Sequence, residues 1–180
     1  MINHIINQKG QSLVEALIAL GVATLIISAM AVAVISSVSN SDYSKYQNQA
    51  THYAQQGVDV LRQASQSDWA KFIKPPPNGY SGIGCLSDPD PDTNQFTPTQ
   101  LANCDLQSAI TKPNVGPNFI RQFNLTKGVD NAACNVACGN SYCGEVNVYW
   151  NDGKCPSTGL YCHKVTLDTC IDNTNSTPTL

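Results

Sequence analysis

Charge is scarce in this chain, and so are most of the groups that enzymes use. Of 180 residues 13% are charged, with 10 Lys or Arg against 13 Asp or Glu, for a formal net charge of -3. Holding a nucleic-acid backbone takes a concentrated basic surface. The sequence has no stripe of Lys and Arg, so no nucleic-acid partner is expected. Its 3 histidines, His4, His52 and His163, are scattered along the chain. There is no His-Glu-x-x-His, no glycine-rich phosphate loop and no serine elbow. Without a clustered base, nucleophile or phosphate cradle the chain reads as non-enzymatic, and no catalytic residue is assigned. Three further absences are positional: no charged side chain between Ala16 and Ser41, no proline between Gln11 and Lys74, and no cysteine before Cys85. They mark off an apolar segment, a long uninterrupted helix that contains it, and a cysteine-rich remainder.

The uncharged run is about 26 residues, roughly 39 Å as a helix, and so exceeds the ~30 Å hydrocarbon core of a bilayer. It is built from Ala, Leu, Ile and Val, with Gly21, Ser28, Ser36 and Ser37 as its small or weakly polar members. A helix in lipid satisfies such hydroxyls on its own backbone. Lys9 precedes the run and the next basic residue is Lys45, so the charge asymmetry is slight. The N-terminus is placed in the cytoplasm mainly because of the short basic leader and because every cysteine lies on the far side. Glu15 stands on the edge of the run, where an unpaired carboxylate costs a few kcal/mol on entering hydrocarbon. It is either the last interfacial residue or a buried group with a cationic partner. If the chain is cut after Gly10, the new ammonium sits on Gln11 and Glu15 follows about one helical turn later. Its partner is then its own terminus or that of a neighbouring subunit.

Lys9-Gly10, then Gln11-Ser12-Leu13-Val14-Glu15 and a long apolar helix, resembles the class III signal of type IV pilins and pseudopilins. The resemblance implies that residues 1–10 are a leader, that prepilin peptidase cuts after Gly10, and that the new N-terminus on Gln11 is methylated. Leu13 and Val14 fit the apolar third and fourth mature positions, and Glu15 is the fifth-position glutamate of that family. Gln11 departs from the usual Phe or Met at the first mature position, which bears on methylation more than on cleavage. The implied partners are identical or related pilin subunits in a helical filament, the prepilin peptidase, an inner-membrane assembly platform and the membrane itself. With its helix the motif covers the first quarter of the chain.

An ordinary secretory signal peptide is the competing reading, with Ala29-Met30-Ala31 or Ala31-Val32-Ala33 as its cleavage site. Against it stand the glutamate before the apolar core and a helical pattern that runs on past Ala33. Tyr43, Tyr46, Ala50, Tyr53, Ala54, Gly57, Val58, Leu61 and Ala64 recur at spacings of three and four, one stripe of an amphipathic helix. Lys45, Gln49, Gln55, Gln56, Asp59 and Gln63 fill the other face, with Asp59 and Arg62 a candidate surface pair. The tyrosines therefore read as core residues rather than a ligand site. One helix is expected over residues 11–74, its first half in the membrane and its second half laid on a head domain. Pro75-Pro76-Pro77-Asn78-Gly79 ends it.

The head, residues 75–180, is rich in Gly, Pro, Asn, Thr and Ser and poor in large aliphatics. A domain of about 100 residues with so thin a core usually needs covalent support. Cys85, Cys104, Cys134, Cys138, Cys143, Cys155, Cys162 and Cys170 make an even set of 8 beyond the apolar segment. That is the pattern of a chain folded in an oxidising compartment, where each disulfide contributes about 2–4 kcal/mol. Eight cysteines allow about a hundred full pairings, so connectivity is left open. The spacing contains no Cys-x2-Cys pair, which disfavours zinc. A nucleophilic Cys162 beside His163 would have to compete with disulfide pairing.

Alternation of side chains marks extended segments late in the head. From Asn118 to Thr126, Phe119, Arg121, Phe123 and Leu125 alternate with Ile120, Gln122 and Asn124. Glu145 to Trp150 alternates more cleanly, Asn151-Asp152-Gly153 reads as a turn, and Leu160 to Thr169 alternates again. The expected fold is α+β, a small antiparallel sheet packed on the second half of the long helix. The family resemblance implies the same pilin-like roll. Asp88, Asp90, Asp92 and Asn94 put oxygens at alternate positions, as in the first half of a calcium loop. Thr93 replaces the turn glycine, however, Thr99 stands in place of the bidentate glutamate, and Pro89 and Pro91 stiffen the segment, so a solvated acidic loop is preferred and no cofactor is assigned. Asn124-Leu125-Thr126 and Asn175-Ser176-Thr177 match the glycosylation sequon. The tail from Asn173 to Leu180 reads as exposed.

These readings converge on a structural subunit, major or minor, of a type IV pilus-like filament. It would be made as a cytoplasmic-membrane precursor and moved to an extracellular pilus. A pseudopilin of a type II secretion system is the nearest relative reading. From another class, the alternative is a secreted or membrane-anchored disulfide-rich binding domain with no filament role.

Overall fold

The computed structural model describes residues 9–92, 95–100, 104–106, 113–127, 138–139, 141–156 and 161–173, with backbone alone for residues 9–12. Thr93, Asn94, Cys134, Leu160 and the sequon at Asn175 lie outside the described residues. The chain divides into two compact units, Met1–Ser44 and Lys45–Leu180.

A single helix, α1, runs from Lys9 to Ser67. In the first unit every large apolar side chain from Leu13 to Val38 is at least half exposed, from 50% at Ile26 to 72% at Leu25. The hydroxyls here turn inward, as expected for a helix that must satisfy itself: Thr24 donates to the Gly21 carbonyl and Ser28 to that of Thr24, each at 2.8 Å.

The second unit is an antiparallel sheet with the C-terminal half of α1 on one face. Its strands are β1 (Gly82–Leu86), β2 (Pro98–Gln100), β3 (Phe119–Lys127), β4 (Tyr142–Trp150) and β5 (His163–Ile171), in the order β2-β1-β3-β4-β5. The alternation read in β3 has the right phase. Phe119, Phe123 and Leu125 bury against Ala50, Ala54, Val58 and Leu61 of the helix, together with Val146, Val148 and Trp150 of β4. Arg121 shares that inward phase and is fully buried. Ile120, on the opposite face, packs with Cys85 and Cys104 in a second small cluster against Leu106, Tyr149 and Tyr161. Removing each large apolar side chain from water contributes about 1.5–3 kcal/mol, and that second cluster is built around a disulfide.

Several expectations need correction. The helix stops at Ser67, not at residue 74. Asp68 takes an extended conformation and caps a separate short helix, α2 (Trp69–Phe72), by accepting from the Lys71 amide at 2.9 Å. The turn containing Pro75–Pro77 folds back on α2, with the Tyr80 amide donating to the Phe72 carbonyl. Gly79 is needed there, since a Cβ would lie 2.2 Å from the Lys71 carbonyl oxygen. Arg62 does not turn to Asp59 but donates across the interface to Thr169 on β5 at 2.9 Å. The last strand spans His163–Ile171, past the expected end at Thr169, and Tyr161 and Cys162 stand outside it. Strands β1 and β2 were not foreseen, because two of the five residues of β1 are glycine and β2 has only three residues, too few to show a period.

Candidate functional site

Three groups of residues bear on function. The first is the N-terminal segment in which processing and assembly residues are expected from sequence. Gly10 and Gln11 fall in the first turns of α1, and Glu15 projects from it as an exposed side chain among apolar neighbours. No other charged residue follows in the helix until Asp42. The helix carries an 18-residue window with mean hydropathy 2.6, none of it buried, and is long and apolar enough to cross a membrane. An exposed apolar surface of this extent marks contact with a membrane or with another protein.

The second group is the covalent frame. Cys85 bonds Cys104, Cys138 bonds Cys170 and Cys155 bonds Cys162, while Cys143 is also disulfide-bonded and no described cysteine is free. Two of these pairs tie a strand to a neighbouring loop and one closes a loop on itself. The first joins β1 to the segment at 104, the second joins β5 to the residues before β4, and the third closes the β4–β5 connection. Burial beside the first raises the pKa of both Tyr149 and Tyr161 above the ordinary phenol value, with nearby Glu145 adding to the rise at Tyr149.

The third group centres on Arg121, whose importance alternation did not reveal. Its Nε donates to the Leu86 carbonyl at 2.8 Å, Nη1 to the Tyr53 carbonyl at 3.1 Å and to Gln56 Oε1 at 2.8 Å, and Nη2 to the Ser87 carbonyl at 2.8 Å. The guanidinium lies 5.6 Å from the centre of the Phe96 ring. Its backbone is held as well, since the amide donates to Asn114 Oδ1 and the carbonyl accepts from Asn114 Nδ2. Desolvation lowers its pKa to about 10, against the opposing influence of Asp88 and Tyr53, so it stays charged at neutral pH. Gly57 lets it reach the helix backbone, because a Cβ there would stand 3.1 Å from Arg121 Cδ and 2.8 Å from Val146 Cγ1. One side chain thus locks α1 to the end of β1.

The acidic loop directs carboxylates at backbone amides, one in a neighbouring loop and one in its own turn. Asp88 Oδ2 accepts from the Gly116 amide at 2.9 Å and Asp90 Oδ1 from the Asp92 amide at 2.8 Å. Among the described residues it gathers no set of three ligating groups. Among the described residues such a set is formed by Asp152, Cys155, Cys162 and His163, whose donor atoms all lie within 4.8 Å of one another. An open cavity of about 570 Å³ lies beside the helix, lined by Gln56, Gln63, Lys71, Phe72, Tyr80 and Phe96 among others. Compared with known proteins, the chain matches no family model, no curated protein and no solved structure.

Proposed function

We propose that this chain is a pilin-like subunit of a type IV pilus-like filament, processed after Gly10 and assembled through the apolar half of its N-terminal helix. The observation that carries the reading is a wholly exposed apolar helix with a single carboxylate, Glu15, continuous in sequence with a helix half that anchors an antiparallel, disulfide-bonded head. In the membrane, lipid covers the apolar surface. In a filament, the helices of neighbouring subunits replace lipid and the head forms the outer face. Lys9-Gly10 ahead of Gln11 supplies the cut that frees a new ammonium for Glu15.

N-terminal sequencing of the mature protein tests this most directly. A chain starting at Gln11, and an uncut membrane precursor for Gly10→Val, are the expected results. A mature start near Val32 or Val34 would mean ordinary signal peptidase and would remove the filament reading, leaving a secreted disulfide-rich domain. Pilus and secretion pseudopilus are told apart by where sheared filaments are recovered.

A further inference from the structure

Register brings together four donors that the sequence spreads over twelve positions. Trp150, the last residue of β4, pairs with His163, the first of β5. The connection between them must therefore leave and return at one place. Asp152 lies two residues beyond β4, Cys155 and Cys162 close the loop as a disulfide, and His163 follows directly. The His163 ring stacks on Trp150, with centroids 5.3 Å apart and planes 28° apart, and its Nε2 lies 3.2 Å from Asp152 Oδ2. The other carboxylate oxygen, Oδ1, accepts from the Lys154 amide at 2.9 Å. The Cys162 amide donates to Cys155 Sγ at 3.1 Å. Burial works to raise the Asp152 pKa, but that amide, the His163 contact and the charges of His163 and Lys154 outweigh it and hold the carboxyl below its ordinary value.

Two sulfurs, an imidazole nitrogen and a carboxylate oxygen are the donor types of a tetrahedral zinc site, with metal–ligand distances of about 2.0–2.3 Å and donors therefore just under ~4 Å apart. We propose that this end of the sheet is a two-state centre, a disulfide when oxidised and a Cys155/Cys162/His163/Asp152 site for a zinc-like divalent cation when reduced. The reductant is a dithiol. It passes two electrons and two protons to the Cys155–Cys162 bond, which breaks to two thiols as the dithiol closes its own disulfide. The cation then displaces both thiol protons and sits between His163 Nε2 and Asp152 Oδ2, with the imidazole neutral. The supporting shell is already in place: Trp150 orients the ring, the Lys154 amide orients the carboxylate, and the Cys162 amide points at a sulfur, the arrangement that favours thiolate. Solvent reaches Cys162, which is exposed, whereas Cys85 and Cys104 are buried. The mouth of the β4–β5 hairpin is thus closed in reducing and in oxidising surroundings alike.

The test uses the full chain in detergent micelles, reduced with a water-soluble phosphine, which takes up oxygen from water, and titrated with Co2+ as a spectroscopic stand-in. Alkylation mapping establishes that Cys155 and Cys162 are reduced. One Co2+ per chain, with thiolate charge-transfer and intense tetrahedral bands that Zn2+ abolishes, is expected. His163→Phe keeps the stack and Asp152→Asn keeps the turn, and each should weaken Co2+ binding about tenfold or more while leaving the far-UV circular dichroism and cooperative melting of the oxidised protein in place. If one of them misfolds, the other decides. Absence of the tetrahedral spectrum, undiminished affinity in the folded variant, or persistence of the spectrum in the Cys155→Ser/Cys162→Ser protein would overturn the proposal.

Discussion

Replacing Arg121 by Met keeps the length of the side chain and removes every donor, so it measures what the buried guanidinium contributes. Four acceptors lose a partner. The Tyr53 carbonyl belongs to the helix and keeps its own ladder bond, and the half-buried Gln56 amide can turn to water. Leu86 and Ser87 are left worse off. Leu86 stands opposite Pro98, which has no amide hydrogen to give back. A stranded buried carbonyl costs about 1–3 kcal/mol. The buried Leu86 carbonyl and the half-buried Ser87 carbonyl, less the desolvation cost that a methionine no longer carries, come to roughly 3 kcal/mol. At about 3–4 °C per kcal/mol for a domain of this size, the melting temperature should fall by about 10 °C. Near-UV circular dichroism of the full chain in micelles reports it. Arg121→Lys, with charge but without the planar fork, should recover only a minor part of the loss. A Met variant melting within about 2 °C of the parent would mean that these carbonyls find other donors and that the clamp has no net value.

Gly57→Val should destabilise the head by about 1–3 kcal/mol, because the new side chain must displace Val146 and Arg121; chemical denaturation will read this, and an unchanged midpoint would contradict the close approach. Since the Asp152 pKa lies below its ordinary value of 3.8, the folded state binds this proton less readily than the unfolded chain. Its contribution is therefore present above that value and lost as pH falls through the depressed folded pKa, so Asp152→Asn should lower stability on the neutral plateau and flatten the acid limb, with variant and parent converging at low pH; identical denaturation profiles across pH would refute this. Glu15→Leu should be cut and inserted normally yet enter filaments poorly, as shown by sheared filaments quantified beside the membrane pool; assembly equal to the parent would make Glu15 a purely interfacial residue.

Local chemistry decided much of this molecule. Charge-free length from Ala16 to Ser41 marked the membrane-compatible half of α1, and spacings of three and four from Ala50 to Leu61 marked the face that packs on the sheet, because helical period is a property of the sequence itself. The phase of β3 was legible for the same reason, down to Arg121 sharing a face with Phe119, Phe123 and Leu125. That Arg121 would be wholly buried was not, since its acceptors come from residues 34 to 68 positions away and carbonyl oxygens leave no trace in composition. The even cysteine count announced disulfides, but pairing waited on the fold because it depends on which loops return to which strands. The short strands β1 and β2 exist through their partners, β1 through β3 and β2 through β1, and have no period of their own. Asp152, Cys155, Cys162 and His163 converge only because Trp150 meets His163 across the ladder. Periodicity acts over neighbours a few residues apart, whereas register is a relation between distant segments, and it was the register of this sheet that assembled the clamp, the staples and the ligand cluster.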